Sequence, residues 1–374
     1  MSAEGFQPPP YPYERLSGIA ALANDHEGGM VDCSIGTPCD APLPAVVTAL
    51  GSSGLERGYP TSQGSPRLRE AIGDWLERTF GAKVPGEAIS ACVGTKEMVA
   101  STAHFMSLRY PEKKYVLFPA ISYPTYAMSA TLAGLTAVPV DMINGRLALE
   151  TIPSNVIEET LLLWSNSPSN PTGRLDDLAA VAAWGRLHDV PVFSDECYAD
   201  FTWADRPRSI LEHGLEGVVA VHSLSKRSNL AGIRAGFFAG DPEIVDFLRV
   251  IRQHSGLMIP GPVQVAATVA YDDDAHVAVQ RDVYLERMHL VSEGFHAVGY
   301  SADLPDGAFY LWIPVPEHLK DGWAFAEDLA RRSGLLVSPG DLYGTAGAEF
   351  VRLAVVQPAE RLALALERLT ASFR

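Results

Sequence analysis

Val218-Val219-Ala220-Val221-His222-Ser223-Leu224-Ser225-Lys226 is an aliphatic run that stops on a polar cluster. Such a run offers no polar face to water, so it reads as a strand buried on both sides, as in a parallel sheet covered by helices. Comparable runs stand at 114–118, 160–164, 190–193 and 235–239, all too apolar for a half-exposed antiparallel sheet. Longer amphipathic segments alternate with them, and the spacing predicts helices over 96–108 and 175–188. Residues 46–262 therefore read as one large α/β domain, a mostly parallel sheet flanked by helices.

Beyond Pro262 the pattern changes. Helical segments at 263–271 and 276–298, separated by Asp272-Asp273-Asp274, lead into a strand at 308–315, a helix at 323–333, strands at 335–338 and 350–356, and a helix at 359–373. Residues 263–374 are thus expected to supply a linker helix and a smaller α+β domain. At the other end Pro8, Pro9, Pro10 and Pro12 favour an extended arm, followed by a helix over 15–24. Residues 1–45 are assigned to that arm and to part of the small domain.

The 374 residues carry 29 Lys and Arg against 45 Asp and Glu, a net charge of −16 that repels nucleic acid and anionic lipid. A small-molecule partner is expected, and any anion on it must be held by local arginines, helix N-termini and backbone amides. Cys33, Cys39, Cys92 and Cys197 form no Cys-x-x-Cys pair, and no apolar run reaches the length of about 18 residues that a membrane span needs. A cytoplasmic location without membrane contact follows as the expectation. The sequence has no His-Glu-x-x-His, Walker loop or Gly-x-Ser-x-Gly elbow, and no metal is expected.

In an open parallel sheet a ligand lies beyond the carboxyl ends of the strands. Tyr123 follows the run at 114–118, Ser169-Asn170-Pro171-Thr172-Gly173 follows 160–164, and Ser194-Asp195-Glu196-Cys197-Tyr198 follows 190–193. A lysine desolvated at such a strand end acquires a lowered pKa and becomes a nucleophile able to form an imine. Lys226 occupies that place; any lysine taken singly reads better as a solvated surface residue, and its neighbours shift the balance. Ser223 and Ser225, two apart in an extended segment, would turn their hydroxyls toward one phosphate. Arg234 would add charge, and Gly94-Thr95, opening a helix near Lys96, would add backbone amides and the helix dipole.

Asp195 follows Val-Pro-Val-Phe. A buried carboxylate there needs a cation, which a pyridinium nitrogen would provide; capping of a turn is the alternative. Asn170 and Tyr198 can donate to a ring phenolate and Tyr123 can stack on the ring, against the ordinary readings of a turn residue, a core tyrosine and a loop aromatic. Arg352 interrupts the apolar run 350–356, where either a substrate carboxylate or an internal salt bridge would satisfy it.

Together these residues resemble the fold type I pyridoxal-phosphate enzymes, specifically the class I/II aminotransferases. The resemblance runs in order through Ser34 to Pro38, Gly58-Tyr59-Pro60, Gly94-Thr95-Lys96-Glu97, Ser169 to Gly173, Ser194 to Tyr198, His222 to Lys226, Gly232 to Gly236, Gly307 to Tyr310 and Val351-Arg352-Leu353. It implies a seven-stranded, mostly parallel sheet and pyridoxal 5'-phosphate as cofactor, with Lys226 as the Schiff-base lysine and general acid/base. Asp195 would pair with the pyridine nitrogen, Asn170 and Tyr198 would contact the ring hydroxyl, and Tyr123 would cover the ring. Gly94, Thr95, Lys96, Ser223, Ser225 and Arg234 would surround the phosphate, with Tyr59 entering from a second subunit of a homodimer. Gly36 and Arg352, with Asn170, would bind the substrate carboxylate.

Within that family the chain is most similar to the actinobacterial type of N-succinyldiaminopimelate aminotransferase of lysine and diaminopimelate biosynthesis. Arg227-Ser228-Asn229 stands where many relatives have an aromatic residue, so contacts there do not transfer. Tyr11, Tyr13, Arg15 and Arg174 are candidates for holding a distal carboxylate. The alternatives are an aminotransferase of aspartate, aromatic or broad specificity, a carbon–sulfur β-lyase, and a Ser–Lys amidase, the last of which leaves Asp195, Arg234 and Arg352 unexplained.

Overall fold

The computed structural model describes residues 6–374. Seven strands make the central sheet: β1 (Ile89–Cys92), β2 (Tyr115–Pro119), β3 (Thr136–Val140), β4 (Thr160–Asn166), β5 (Val192–Asp195), β6 (Val218–Ser223) and β7 (Gly236–Gly240). Their order is β1-β7-β6-β5-β4-β2-β3. β7 runs antiparallel to β1 and β6, and the other pairings are parallel. The chain thus has the expected α/β fold with a mostly parallel seven-stranded sheet.

β4, β5 and β6 are buried at every residue, which is why they stand out in the sequence as apolar runs. Apolar runs do not reveal β1 and β3. β1 is Ile-Ser-Ala-Cys, buried but only half of it strongly apolar. β3 lies at the sheet edge with Thr136 and Pro139 exposed, the one kind of position where a strand tolerates proline.

The helices used below are α1 (Ser17–Asn24), α2 (Pro66–Phe80), α3 (Thr95–Arg109), α4 (Thr125–Leu132), α5 (Leu224–Arg227), α6 (Gly261–Asp272), α7 (Ala275–His296), α8 (Gly322–Ser333) and α9 (Ala359–Ala371). One core joins the sheet to α2 and α6 through Trp75, Phe80, Phe237 and Tyr271, and another joins it to α3 through Met98, Met106, Trp164 and Phe238. A third core belongs to a small antiparallel sheet, β8 (Tyr310–Pro314), β9 (Ser338–Pro339) and β10 (Phe350–Ala354), in the order β8-β10-β9. It is packed by α1, α7, α8 and α9 through residues such as Ile19, Tyr284, Phe325 and Leu362. Val31–Asp32 pairs in parallel with Leu335–Leu336, so the N-terminal segment is built into this unit.

Trp75 links the sheet's back face to the segment that carries Lys226. Its ring meets Phe80 at 5.2 Å, His222 at 5.1 Å and Phe237 at 5.9 Å, all edge-on, and the Arg227 guanidinium lies 5.3 Å from its centroid. Trp75→Ala is expected to lower stability by ~3–5 kcal/mol, since the surrounding rings cannot all collapse into the space. Urea unfolding followed by circular dichroism measures this, and a loss below ~1 kcal/mol would show that the site relaxes freely.

Candidate active site

The carboxyl ends of β4, β5 and β6 and the N-terminus of α3 open on one cavity, closed by the N-terminal arm and by β10. Lys226, Asp195, Tyr198, Thr95, Lys96, Tyr123, Asn170, Ser223, Ser225, Arg234, Gly36 and Arg352 all line it.

Lys226 lies in α5, a single turn that begins where β6 stops. Ser223 caps that turn, its Oγ accepting from the Ser225 amide at 3.1 Å. The expectation of two hydroxyls presented by one extended segment is corrected accordingly. Ser223 keeps its hydroxyl proton free to donate, and Ser225 reaches the cavity from within the turn. Burial lowers the Lys226 pKa to about 8; Cys197 opposes the shift, and the charges of Arg352 and Arg234 add to it by smaller amounts. The ammonium donates to the carbonyl of Gly36. A side chain at Gly36 would run into the phenol of Tyr310, so this close crossing of the backbone requires glycine.

Asp195 ends β5. Its Oδ2 accepts from the Tyr126 hydroxyl at 2.8 Å and its Oδ1 from the Cys197 amide at 3.2 Å. The turn-capping contact therefore exists, yet among the described residues no cation bonds the carboxylate. Burial raises its pKa above the ordinary value in spite of the hydrogen bonds from Cys197 and Tyr126. Asn166 fixes the neighbourhood, donating to the Asp195 carbonyl at 2.8 Å and accepting from the Asn170 amide at 2.7 Å.

Arg352, on β10, donates through Nη1 to Asn170 Oδ1 at 2.8 Å and through Nη2 to the Ser34 carbonyl, while its buried Nε has no partner. No carboxylate pairs with it among the described residues, so the internal salt bridge is not realised. Its guanidinium lies over Tyr310 at 4.3 Å and Tyr343 at 4.8 Å. Burial disfavours the charge, but the oxygens of Tyr343, Tyr13, Tyr310 and Tyr198 raise its pKa above the usual arginine value. Tyr198 shares a 2.7 Å hydrogen bond with Tyr310.

Gly94 is the N-cap of α3, at φ +75°, and a side chain there would strike the Arg234 guanidinium. Glycine thus lets Arg234 lie against the helix N-terminus, the usual seat of an anion. Lys96 turns away from that seat: its ammonium donates to the Tyr11 hydroxyl at 2.9 Å and lies 4.5 Å from the Tyr11 ring centroid. Tyr59 is 99% exposed and does not line the cavity of its own chain.

Two of the suggested distal contacts are corrected. Arg15 faces Asp341 at 3.6 Å and Arg174 faces Asp306 at 3.2 Å, both outside the cavity, whereas Tyr11 and Tyr13 line it. Sequence reasoning gave no role to Tyr126, which stands three residues beyond Tyr123, or to Cys197, whose thiol donates to Thr95 Oγ1 at 3.2 Å.

The chemistry of this donor set fits pyridoxal phosphate: an acid without a cation for the ring nitrogen, an amine for the aldehyde carbon, and an arginine at a helix N-terminus for the phosphate. In the unliganded protein, acylation of Lys226 is expected to rise with a midpoint near pH 8, because the neutral amine is the reactive form and burial favours it. Labelling across pH, read by mass spectrometry, measures this, and a midpoint close to that of a free lysine, about 10.4, would show that the amine is solvated.

The whole-chain comparisons agree with this geometry. Residues 29–369 match the family model for aminotransferase class I and II. A probable aminotransferase of Mycobacterium tuberculosis is 40% identical over 97% of this chain and 85% of its own length. The 4-dedimethylamino-4-oxo-anhydrotetracycline transaminase OxyQ of Streptomyces rimosus is 38% identical over 97% of this chain and 99% of its own. Among solved structures, a probable N-succinyldiaminopimelate aminotransferase of Thermus thermophilus superposes with a TM-score of 0.86 at 27% identity, covering 96% of this chain and 99% of that one. With the family model spanning most of its length, the chain belongs to the class I and II aminotransferases and is a pyridoxal-phosphate-dependent transaminase.

Proposed function

We propose that this aminotransferase interconverts N-succinyldiaminopimelate and its 2-oxo acid, with glutamate and 2-oxoglutarate as the second couple. The observation that carries the reading is electrostatic. In a chain of net charge −16, Arg234, Lys96 and Arg352 face one cavity, and none forms an ion pair among the described residues. Three cations call for three anions. Arg234 holds the phosphate with Gly94, Thr95, Ser223 and Ser225; Arg352 and Gly36 take the carboxylate at the reacting end; Lys96, with Tyr11, takes a distal carboxylate. Glutamate and the succinylated substrate each carry such a pair. The likeness to the Thermus thermophilus protein supports the same substrate class.

When bound, the cofactor supplies an electron sink for the electrons left on the substrate carbon. Lys226 takes and returns the proton at that carbon, for which a neutral amine at working pH is required. Asp195 holds the ring nitrogen protonated, oriented by Tyr126. Asn170 and Tyr198 donate to the ring hydroxyl, and Tyr123 covers the ring face. We further propose a cytoplasmic homodimer in which the exposed Tyr59 reaches the phosphate of a second copy, with the large domain over residues 46–262.

A second reading has its own support in the likeness to OxyQ, together with the aromatic lining of Tyr11, Tyr13 and Tyr123: amination of a larger cyclic oxo compound. The two separate by kcat/KM. N-succinyldiaminopimelate is expected to exceed aspartate, aromatic amino acids and cyclic amines by at least about tenfold, ~1.4 kcal/mol of transition-state preference. A tenfold preference for any of the others would overturn the substrate assignment and leave the aminotransferase intact. Asp195→Asn is expected to keep the fold and lose kcat by on the order of a hundredfold or more, as a general acid–base system does when its electron sink is weakened. Near-normal turnover by the folded variant would reduce Asp195 to a turn cap.

A further inference from the structure

Arg227-Ser228-Asn229 follows Lys226 directly, and its contacts lead back to the opposite wall of the cavity. Asn229, in the left-handed conformation at φ +56°, donates its amide to Gln280 Oε1 on α7 at 2.8 Å. Gln280 in turn donates through Nε2 to Asp40 Oδ2 at 2.9 Å. Because a carboxylate only accepts, this bond fixes which way the Gln280 amide faces and leaves its oxygen for Asn229. Arg287, one helical stretch further along α7, grips both oxygens of Asp40 at 2.7 and 2.6 Å. Burial opposes the charge on Asp40, yet the hydrogen bonds from Arg287 and Gln280 hold its carboxyl below the ordinary range. Gln280 and Arg287 are themselves buried.

Asp40 closes the strap Gly36-Thr37-Pro38-Cys39-Asp40, and the carbonyl of Gly36 accepts from Lys226. A closed circuit results: Lys226, Asn229, Gln280, Asp40, Gly36 and back to Lys226. Its fixed point is α7, which belongs to the small-sheet core through Tyr284 and Met288.

We infer that Asn229 and Gln280 are positioning residues, which act through Asp40 to set where the Gly36 strap crosses the cavity and so determine how well the reacting-end carboxylate is bound. The inference rests on the proposed carboxylate site at Gly36 and Arg352. Neither Asn229 nor Gln280 lines the cavity, so their influence runs through the backbone of the strap. A strap displaced by a fraction of an ångström loses the alignment of its amide with the carboxylate while leaving the lysine and the phosphate seat in place.

Two variants separate this role from a general structural one. Gln280→Met removes both amide bonds at similar volume. Asn229→Gly removes the donor and keeps the left-handed backbone available. In the holoenzyme, KM for glutamate is expected to rise about tenfold with kcat changed by less than about threefold, and the double variant should be no worse than Gln280→Met alone, since the bonds act in series. Calorimetric binding of glutarate, a dicarboxylate that cannot react, should weaken by the same factor. The half-reaction with a primary amine lacking a carboxylate should proceed at the unaltered rate. Unchanged KM and glutarate affinity in the folded variants, an equal loss with the carboxylate-free amine, or additive effects in the double variant would overturn the inference. Arg352→Lys is the separate control: if it leaves glutarate binding intact, the proposed carboxylate site itself fails, whatever the relay variants do.

Discussion

An amine held away from water at the carboxyl edge of a buried sheet, with no acid bonded to it, is the constraint on which the rest of this cavity depends. Removing solvent from Lys226 favours its neutral form, and Arg352 and Arg234 add to that preference. The effect holds although Cys197 opposes it, and no acidic side chain bonds the amine among the described residues. Asp195, the one acidic residue that lines the cavity among those described, is instead occupied by the Tyr126 hydroxyl and the Cys197 amide. The short turn of α5 places the amine, the Ser223 cap fixes the turn, and the Gly36 carbonyl accepts from the ammonium.

The same separation of charge explains how an acidic protein accommodates anionic ligands. Most of its carboxylates lie elsewhere, some in exposed pairs such as Arg331 with Glu327 and Lys114 with Glu159, which contribute little to stability. Lys96, Arg234 and Arg352, none of which forms an ion pair among the described residues, face the cavity. Arg352 is buried, which is costly while it stands alone, so a bound anion gains from a site already arranged to receive it. The buried Nε of Arg352 has no hydrogen-bond partner among the described residues.

The sequence made legible whatever depended on local pattern. β2, β4, β5, β6 and β7 are continuous apolar runs because both of their faces are covered, and the polar residues that follow them mark the cavity. β1 and β3 escaped because one is made of small residues and the other is an edge strand interrupted by Pro139. Site residues were found where they sit at strand ends in recognisable order. The distal contacts were not: Arg15, in the short 3-10 helix Pro12–Leu16, and the loop residue Arg174 have partners, Asp341 and Asp306, that lie far along the chain, and nothing local announces such pairs. Lys96 was placed by its neighbours in the phosphate group, but its ammonium follows the Tyr11 hydroxyl, a contact across 85 positions. Likewise Asn229, Gln280 and Asp40 are joined only by the packing of α7.

Lys226 is proposed to be the residue that engages the cofactor. Borohydride reduction of the holoenzyme, followed by proteolysis and peptide mapping, tests it most directly. A single pyridoxyl label is expected, on the peptide that contains Lys226. A label on any other lysine, or none at all in a protein that has retained its cofactor, would contradict it.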